Sequence, residues 1–208
     1  SAHASSSLHY CLSGCAARPR GCRMTRPLPI IHEVRRHQGD PRRVVEELDL
    51  EFSNGERRLY HRAPAGEHGA VIVVPMLDDD TALLIREYAA GTHRYELGLV
   101  KGKIDAGETP EEAANRELKE EAGYGARSLT VLRRISLAPT YMGHETILVL
   151  ARDLYEERLP GDEPEQLDVL PWKLDALHEL ILAEDFSEGR SIAALFLVRE
   201  WLRHVDAK

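Results

Sequence analysis

The stretch GKIDAGETPEEAANRELKEEAG, residues 102–123, decides how the rest of the chain is read. Thr109-Pro110-Glu111-Glu112 is a helix start: Thr109 caps, Pro110 suits the first turn, and Glu112 completes a capping box. Gly123 is the natural stop, because glycine accepts the left-handed backbone at a helix C-terminus. The pattern therefore predicts a helix over 110–122. Ala114, Leu118 and Ala122 recur every fourth residue and form its buried stripe. Glu117 and Glu121 are also four apart and share a face, with Glu120 one position round. Each like-charged pair at that spacing costs roughly 0.2–0.5 kcal/mol, even in water. Arg116 offsets part of the repulsion. A divalent cation would offset the rest, and clustered carboxylates suit the hard ions Mg2+ and Mn2+. Three glutamates alone are more simply a solvated acidic face. The residues around them change that reading.

Outward from this helix the chain alternates strands and helices. Val44–Phe52 alternates apolar and acidic residues as a half-buried strand does, Asn54-Gly55 marks a hairpin, and Glu56–Arg62 returns. Val71–Val74 is an apolar run suited to a central strand. Asp78–Asp80 reads as a turn whose carboxylates bond locally, leading into a strand over Ala82–Tyr88. Further strands are predicted at Tyr95–Val100, Leu129–Leu137, Thr146–Leu154 and Val169–Trp172. Tyr155–Gln166 is polar and proline-containing and reads as a surface loop. Helices are predicted at Leu174–Ala183 and Glu188–His204, the second with a broad apolar stripe. Strands flanked by helices at mixed spacings give an α/β class protein, an α/β/α sandwich around a mixed sheet with an N-terminal β-hairpin arm.

Composition bounds the function. The 208 residues are 43% hydrophobic and 30% charged, as in a folded domain rather than a disordered chain. No run of apolar residues is long enough to cross a membrane. Residues 1–32 carry four arginines and no acid, while the remaining 176 hold 23 basic against 35 acidic residues, a net charge of −12. Such a body offers no basic track for nucleic acid. Cys11, Cys15 and Cys22 all fall in the first segment, near His9. Their spacing is not that of a paired zinc knuckle, and cysteines confined to one end fit a reducing, cytoplasmic setting. Residues 1–23 read as a disordered or non-native extension, with the working protein starting near Met24.

The flanks of the central helix form one long pattern. Gly102, five residues, Glu108, seven residues, Arg116-Glu117-Leu118, one residue, Glu120-Glu121, one residue and Gly123 resemble the signature box of the Nudix hydrolases at every one of these eight positions. Tyr124 stands where that family usually has an aliphatic residue. Arg86-Glu87-Tyr88, Tyr95-Glu96-Leu97, the Gly161–Glu165 loop and Ala193–Leu202 are similar to the ADP-sugar branch of the family. The similarity runs from about Leu48 to the C-terminus.

The resemblance implies hydrolysis of a P–O–P bridge in ADP-ribose, NADH or diadenosine polyphosphates, with AMP as one product. It implies two or three Mg2+ ions, Mn2+ being a substitute, held by Glu117, Glu120, Glu121 and the backbone carbonyl of Lys101. Arg116 then orients the glutamates and Glu108 ties the loop to the helix. The catalytic base is Glu163 or Glu165 from the late acidic loop, with Glu120 as an alternative. Arg86, Glu96, Tyr60, Arg62 and Glu145 are candidate substrate contacts. For each, a surface charge, a salt bridge or plain packing is the competing explanation. Ala89 occupies a position where many ADP-ribose pyrophosphatases have arginine, which loosens the expected substrate preference. The implied organisation is a dimerisation and substrate arm over 24–66 and a hydrolase domain over 67–208, in a homodimer acting on a small nucleotide. The rivals are a hydrolase of another nucleoside diphosphate sugar, such as GDP-mannose, and a nonenzymatic nucleotide sensor. The sensor reading predicts an eroded box, and all four box glutamates are present.

Overall fold

The computed structural model describes residues 29–37 and 44–205. The boundary at residue 23 and the group His9, Cys11, Cys15 and Cys22 lie outside the described residues.

The centre of the fold is a four-stranded mixed sheet. β4 (Ala70–Pro75) is buried along its whole length. It pairs in parallel with β9 (Glu145–Glu156) and antiparallel with β7 (Val100–Lys103), and β8 (Tyr124–Ser136) closes the far edge against β9. A second, antiparallel sheet has the order β10 (Asp168–Lys173), β5 (Thr81–Ala89), β6 (Arg94–Gly98). Between β4 and β5 the three-aspartate turn forms as its residues suggest. Asp78 accepts hydrogen bonds from the Asp80 and Thr81 amides and the Thr81 hydroxyl.

Alternation along β4 and β9 divides the interior into two cores, and this makes the sandwich three-layered. Val71, Val73, Ile147 and Val149 face one helix layer, where they meet Ala113, Ala114, Leu118 and Ala122. Ile72, Val74, Leu148 and Leu150 face the other, against Leu177, Leu180, Leu195 and Val198. The first layer is α1 (Pro110–Glu117), with the expected capping box at Thr109 and Glu112. Its continuation Leu118–Ala122 widens into a π-turn, where a regular helix was expected, and ends at Gly123 with φ 76°. Leu118 is 0% exposed, so the stripe read from its spacing is core. The other layer is a short 3-10 turn (Leu174–Ala176), α2 (Leu177–Leu180) and α3 (Gly189–Val205). The expected helix over 174–183 ends early, at Leu180.

One expected strand, Tyr95–Val100, is broken at Leu99, which lies between β6 in one sheet and β7 in the other. The interruption removes Leu99 from both ladders, so its backbone needs other partners. Its amide donates to the buried Ser191 hydroxyl of α3 at 3.1 Å, and its carbonyl accepts from the Lys101 ammonium at 2.6 Å. Ser191 in turn donates to Glu188 at 2.8 Å.

The arm is a three-stranded antiparallel sheet: β1 (Ile30–His37), β2 (Val45–Glu51) and β3 (Arg57–Arg62). The Asn54-Gly55 hairpin joins β2 and β3, with Gly55 at φ 83°. β1 adds to the predicted hairpin. Its Ile-Ile-His-Glu-Val-Arg-Arg-His sequence lacks a two-residue period, and all eight residues are exposed, so alternation gave no signal for it. Charge holds it instead. The acidic central strand β2 lies between basic neighbours: Arg35 bonds Glu47, Arg36 and Arg62 both bond Glu46, and Arg57 bonds Asp49. The arm meets the body where the Ala63 amide and carbonyl bond Tyr141 and Gly143.

Glu46 is the most enclosed charge of the arm, only 2% exposed. Hydrogen bonding to Arg62, then Arg36, holds its carboxyl below the ordinary value of 4.5 despite its burial. A depressed folded-state value stabilises the sheet above the ordinary value, and that stabilisation is lost as pH falls through it. The protection of β1–β3 amides, measured relative to the intrinsic exchange rate at each pH, is therefore expected to fall on acidification below about pH 4.5. In Glu46→Gln that protection is expected to be lower at neutral pH and to respond less to acid.

Candidate active site

The π-turn and the β6–β7 seam enclose an open cleft of about 590 Å³ on the α1 side of the molecule. Glu117, Glu120 and Glu121 line it from the helix, Lys101 and Gly102 from β7, Glu87 from β5, and Pro160–Glu163 from the late loop. Gly102 is needed here for space. A Cβ at that position would sit 1.8 Å from the Glu117 carboxyl carbon, far inside contact distance, so the carboxylate rests against bare backbone. On the preceding residue, the Lys101 amide donates to Glu121 at 3.3 Å.

Arg116 organises the acids. It donates to both oxygens of Glu108 at 2.8 and 3.0 Å, to Glu117 at 2.8 Å, to Glu120 at 3.1 Å and to the Lys103 carbonyl at 2.9 Å. Glu108 also accepts the Asp105 amide at 3.0 Å, which fastens the loop 103–109 to the helix. Arg116 holds the Glu108 carboxyl below its usual range. Burial outweighs Arg116 at Glu117 and pushes that carboxyl up. Glu121 is pushed up to about 8, chiefly by burial, with Lys101 opposing the rise and Glu117 and Glu87 adding to it.

The donor set fits a hard divalent cation. Three glutamates converge on one cleft, and among the described residues Lys101 is the charge that offsets the largely enclosed Glu121. Among the described residues, no group of three His, Cys, Asp or Glu side chains already stands as a closed cage. Arg116 holds one oxygen of Glu117 and one of Glu120, so the second oxygen of each carboxylate can turn to an ion while Arg116 stays bound.

The two late-loop glutamates point to different places. Glu163 lines the cleft, and burial raises its carboxyl, with Glu87 and Asp162 adding to the effect. Glu165 instead accepts a hydrogen bond from the Tyr95 hydroxyl, outside the cleft. Arg86 is paired with Asp185 at 2.6 Å. Glu96 is held by Arg94 at 2.6 Å and by Ser187 at 3.2 Å. It lines a side pocket of about 350 Å³ with an apolar floor of Ile85, Ala89 and Leu97 and a rim that includes Ser187, Glu188 and Arg190. Glu87 and Lys101 line both this pocket and the cleft, so the two are contiguous. Tyr60 and Arg62 lie on the arm, Tyr60 beside Phe52 and Arg62 on Glu46. Glu145 begins β9, 3.7 Å from Arg134. The structure brings none of these three to the cleft of the same chain.

Glu87, Asp105 and Asp162 line the cleft without having been singled out as site residues. For Glu87 a signal existed: it follows the buried Ile85 by two positions on β5, and a two-residue period puts both on one face. The side pocket had none, because it joins residues about 90 apart in sequence.

A carboxylate helix of this pattern, fastened by Arg116 and Glu108 to a glycine-bearing strand inside an α/β/α sandwich, defines a Nudix site. The NUDIX domain family matches residues 66–196, and the NudE-type Nudix hydrolase N-terminal domain matches residues 29–62. The chain belongs to the Nudix hydrolase family. It is 54% identical over 160 residues to ADP compounds hydrolase NudE of Escherichia coli (strain K12), covering 77% of this chain and 86% of that protein. It is 27% identical over 153 residues to an ADP-ribose pyrophosphatase of Bacillus subtilis (strain 168), covering 73% and 80%. A crystal structure of ADP compounds hydrolase superposes with a TM-score of 0.78 at 49% identity, covering 86% of this chain and 97% of that one.

The contact at Gly102 leads to a direct test. Gly102→Ala must displace the Glu117 carboxylate, and misplacing a catalytic group by about 1 Å can cost about 10²-fold. Turnover is expected to fall by at least that factor, while circular dichroism and thermal unfolding show the fold retained.

Proposed function

We propose that this enzyme is a Mg2+-dependent pyrophosphohydrolase of ADP compounds, cleaving the P–O–P bridge of ADP-ribose, NADH or diadenosine di- and triphosphates and releasing AMP. The observation that carries the reading is the convergence of Glu117, Glu120 and Glu121 on one cleft with Arg116 behind them. Mg2+, or Mn2+ in its place, would be held by these carboxylates and the Lys101 carbonyl, as two or three ions. When bound, such ions neutralise an anionic diphosphate and acidify water. The residues of the chain do the rest. Arg116 sets the rotamers of Glu117 and Glu120, and Glu108 fixes Arg116. Glu163 takes the proton of the attacking water as its oxygen bonds to one bridge phosphorus, and the bond from that phosphorus to the bridging oxygen breaks. One group attached to the diphosphate occupies the contiguous side pocket, beside Ala89 and Glu96.

Substrate identity is read from the product. Hydrolysis of a panel of ADP-ribose, NADH, diadenosine triphosphate and GDP-mannose is expected to release AMP from the first three. GMP release from GDP-mannose as the dominant activity would replace the reading with its rival, and no nucleotide release with any metal would leave the sensor. Glu121→Gln is expected to abolish turnover and to weaken Mn2+ binding measured calorimetrically. Full activity in that variant would overturn the mechanism.

The arm exposes Ile30, Ile31, Val34, Leu59 and Tyr60. Exposed apolar side chains grouped on one small sheet favour burial against a partner, and we assign that partner as a second copy, with Tyr60, Arg62 and Glu145 serving its substrate. The expected solution mass is that of a dimer, and Leu59→Glu is expected to yield monomer with a raised KM. A wild-type monomer at all concentrations would remove the dimer from the proposal. The cytoplasm, which supplies these nucleotides, is the proposed location.

A further inference from the structure

The late loop that carries Glu163 is fastened on both sides. On one side it is bound to the end of the Nudix helix. The Glu157 amide donates to the Gly123 carbonyl at 3.1 Å, the Leu159 amide to the Lys119 carbonyl at 3.2 Å, and Lys119 pairs with Glu157 at 2.9 Å. Gly161 then lies on Glu120, where even a Cβ would be 3.6 Å from the Glu120 Cβ. On the other side, among the described residues, the fastening is a polar contact: Tyr95 on β6 donates its hydroxyl to Glu165. Beyond it Leu167 enters the core. Glu163 lies between these two anchorages, facing Glu87 and Asp162, with Pro160 and Pro164 limiting the backbone of the span.

The placement of Glu163 is electrostatically unfavourable. Glu87, Asp162 and the helix glutamates all line the same cleft and repel it. A free loop would relieve this by swinging outward. The helix-side bonds fix residues up to Leu159 but leave the five residues 160–164, Glu163 among them, to the far anchor. Tyr95 is 49% exposed and is not held by core packing; its ring rests edge-on against Tyr88 at 5.8 Å, and Tyr88 bonds His93 at 2.7 Å. An exposed tyrosine supported by a second tyrosine, with its hydroxyl given to the loop, has no evident part in stabilising the core.

We infer that Tyr95 is a positioning residue for hydrolysis: by holding Glu165 it keeps Glu163 turned into the cleft against the repulsion of the other carboxylates. This rests on the reading of Glu163 as the base. Tyr95 touches neither substrate nor reacting atoms in this assignment, so its loss affects the chemical step more than binding.

The test is steady-state hydrolysis of ADP-ribose by the full chain with Mg2+. Tyr95→Phe keeps the ring and removes only the donor. It is expected to lower kcat about tenfold, within the range a displaced catalytic group produces, with KM changed less than about twofold and the melting temperature unchanged. Glu165→Ala, which removes the acceptor of the Tyr95 hydroxyl, is expected to match Tyr95→Phe. In a Glu163→Gln background, itself reduced about 10²-fold, Tyr95→Phe is expected to add nothing. An unchanged kcat in Tyr95→Phe, or an equal loss with and without Glu163, overturns the positioning role while leaving the base intact. Near wild-type turnover in Glu163→Gln overturns the base assignment itself.

Discussion

The contact on which the site depends is the guanidinium of Arg116 wedged among three carboxylates. Glu108, Glu117 and Glu120 each accept from it, and the Lys103 carbonyl takes a further donor. Without a cation in their midst these acids would repel one another across a single helical turn, and two box glutamates are largely removed from water. Arginine suits this place because its planar fork satisfies several acceptors at fixed angles, where a lysine would offer one point charge. The same residue joins the helix to the loop before it, so the charge arrangement and the backbone path are set together. Removing Arg116 would release the loop and leave the glutamates unopposed at once.

Sequence reading located the carboxylate helix because that helix is encoded locally. Caps, stripe and acids all lie within residues 109–123, and the capping box, the buried Leu118 and the left-handed Gly123 take the roles their positions imply. The glycine at 102 needed the fold to explain it: its value lies in a contact with Glu117, fifteen positions later. Contacts across longer separations were not legible. The break at Leu99 depends on Ser191, and nothing near Leu99 in sequence announces it. β1 was missed because pairing and charge, rather than a buried face, define it. The π-turn was missed because its residues are ordinary helix formers.

The arm and the body are held by different physics. The body buries two apolar cores on opposite faces of β4 and β9, and such burial is nearly indifferent to salt. The arm buries little besides Glu46 and Leu48, and relies on an acidic strand between basic ones. Surface pairs of this kind are individually weak and are screened within about 10 Å at 0.1 M salt. The two parts therefore differ in how ionic strength acts on them.

The seam at Leu99 has a mechanical meaning. Its amide belongs to α3 through Ser191, and its carbonyl belongs to Lys101, whose own amide belongs to Glu121. Ser191 is also bound to Glu188, on the rim of the side pocket. A short relay of five residues thus runs from the wall of that pocket to the acid at the bottom of the cleft. The wall of the pocket and the floor of the cleft are thus held by one chain of hydrogen bonds, and a shift at either end acts on bonds shared with the other.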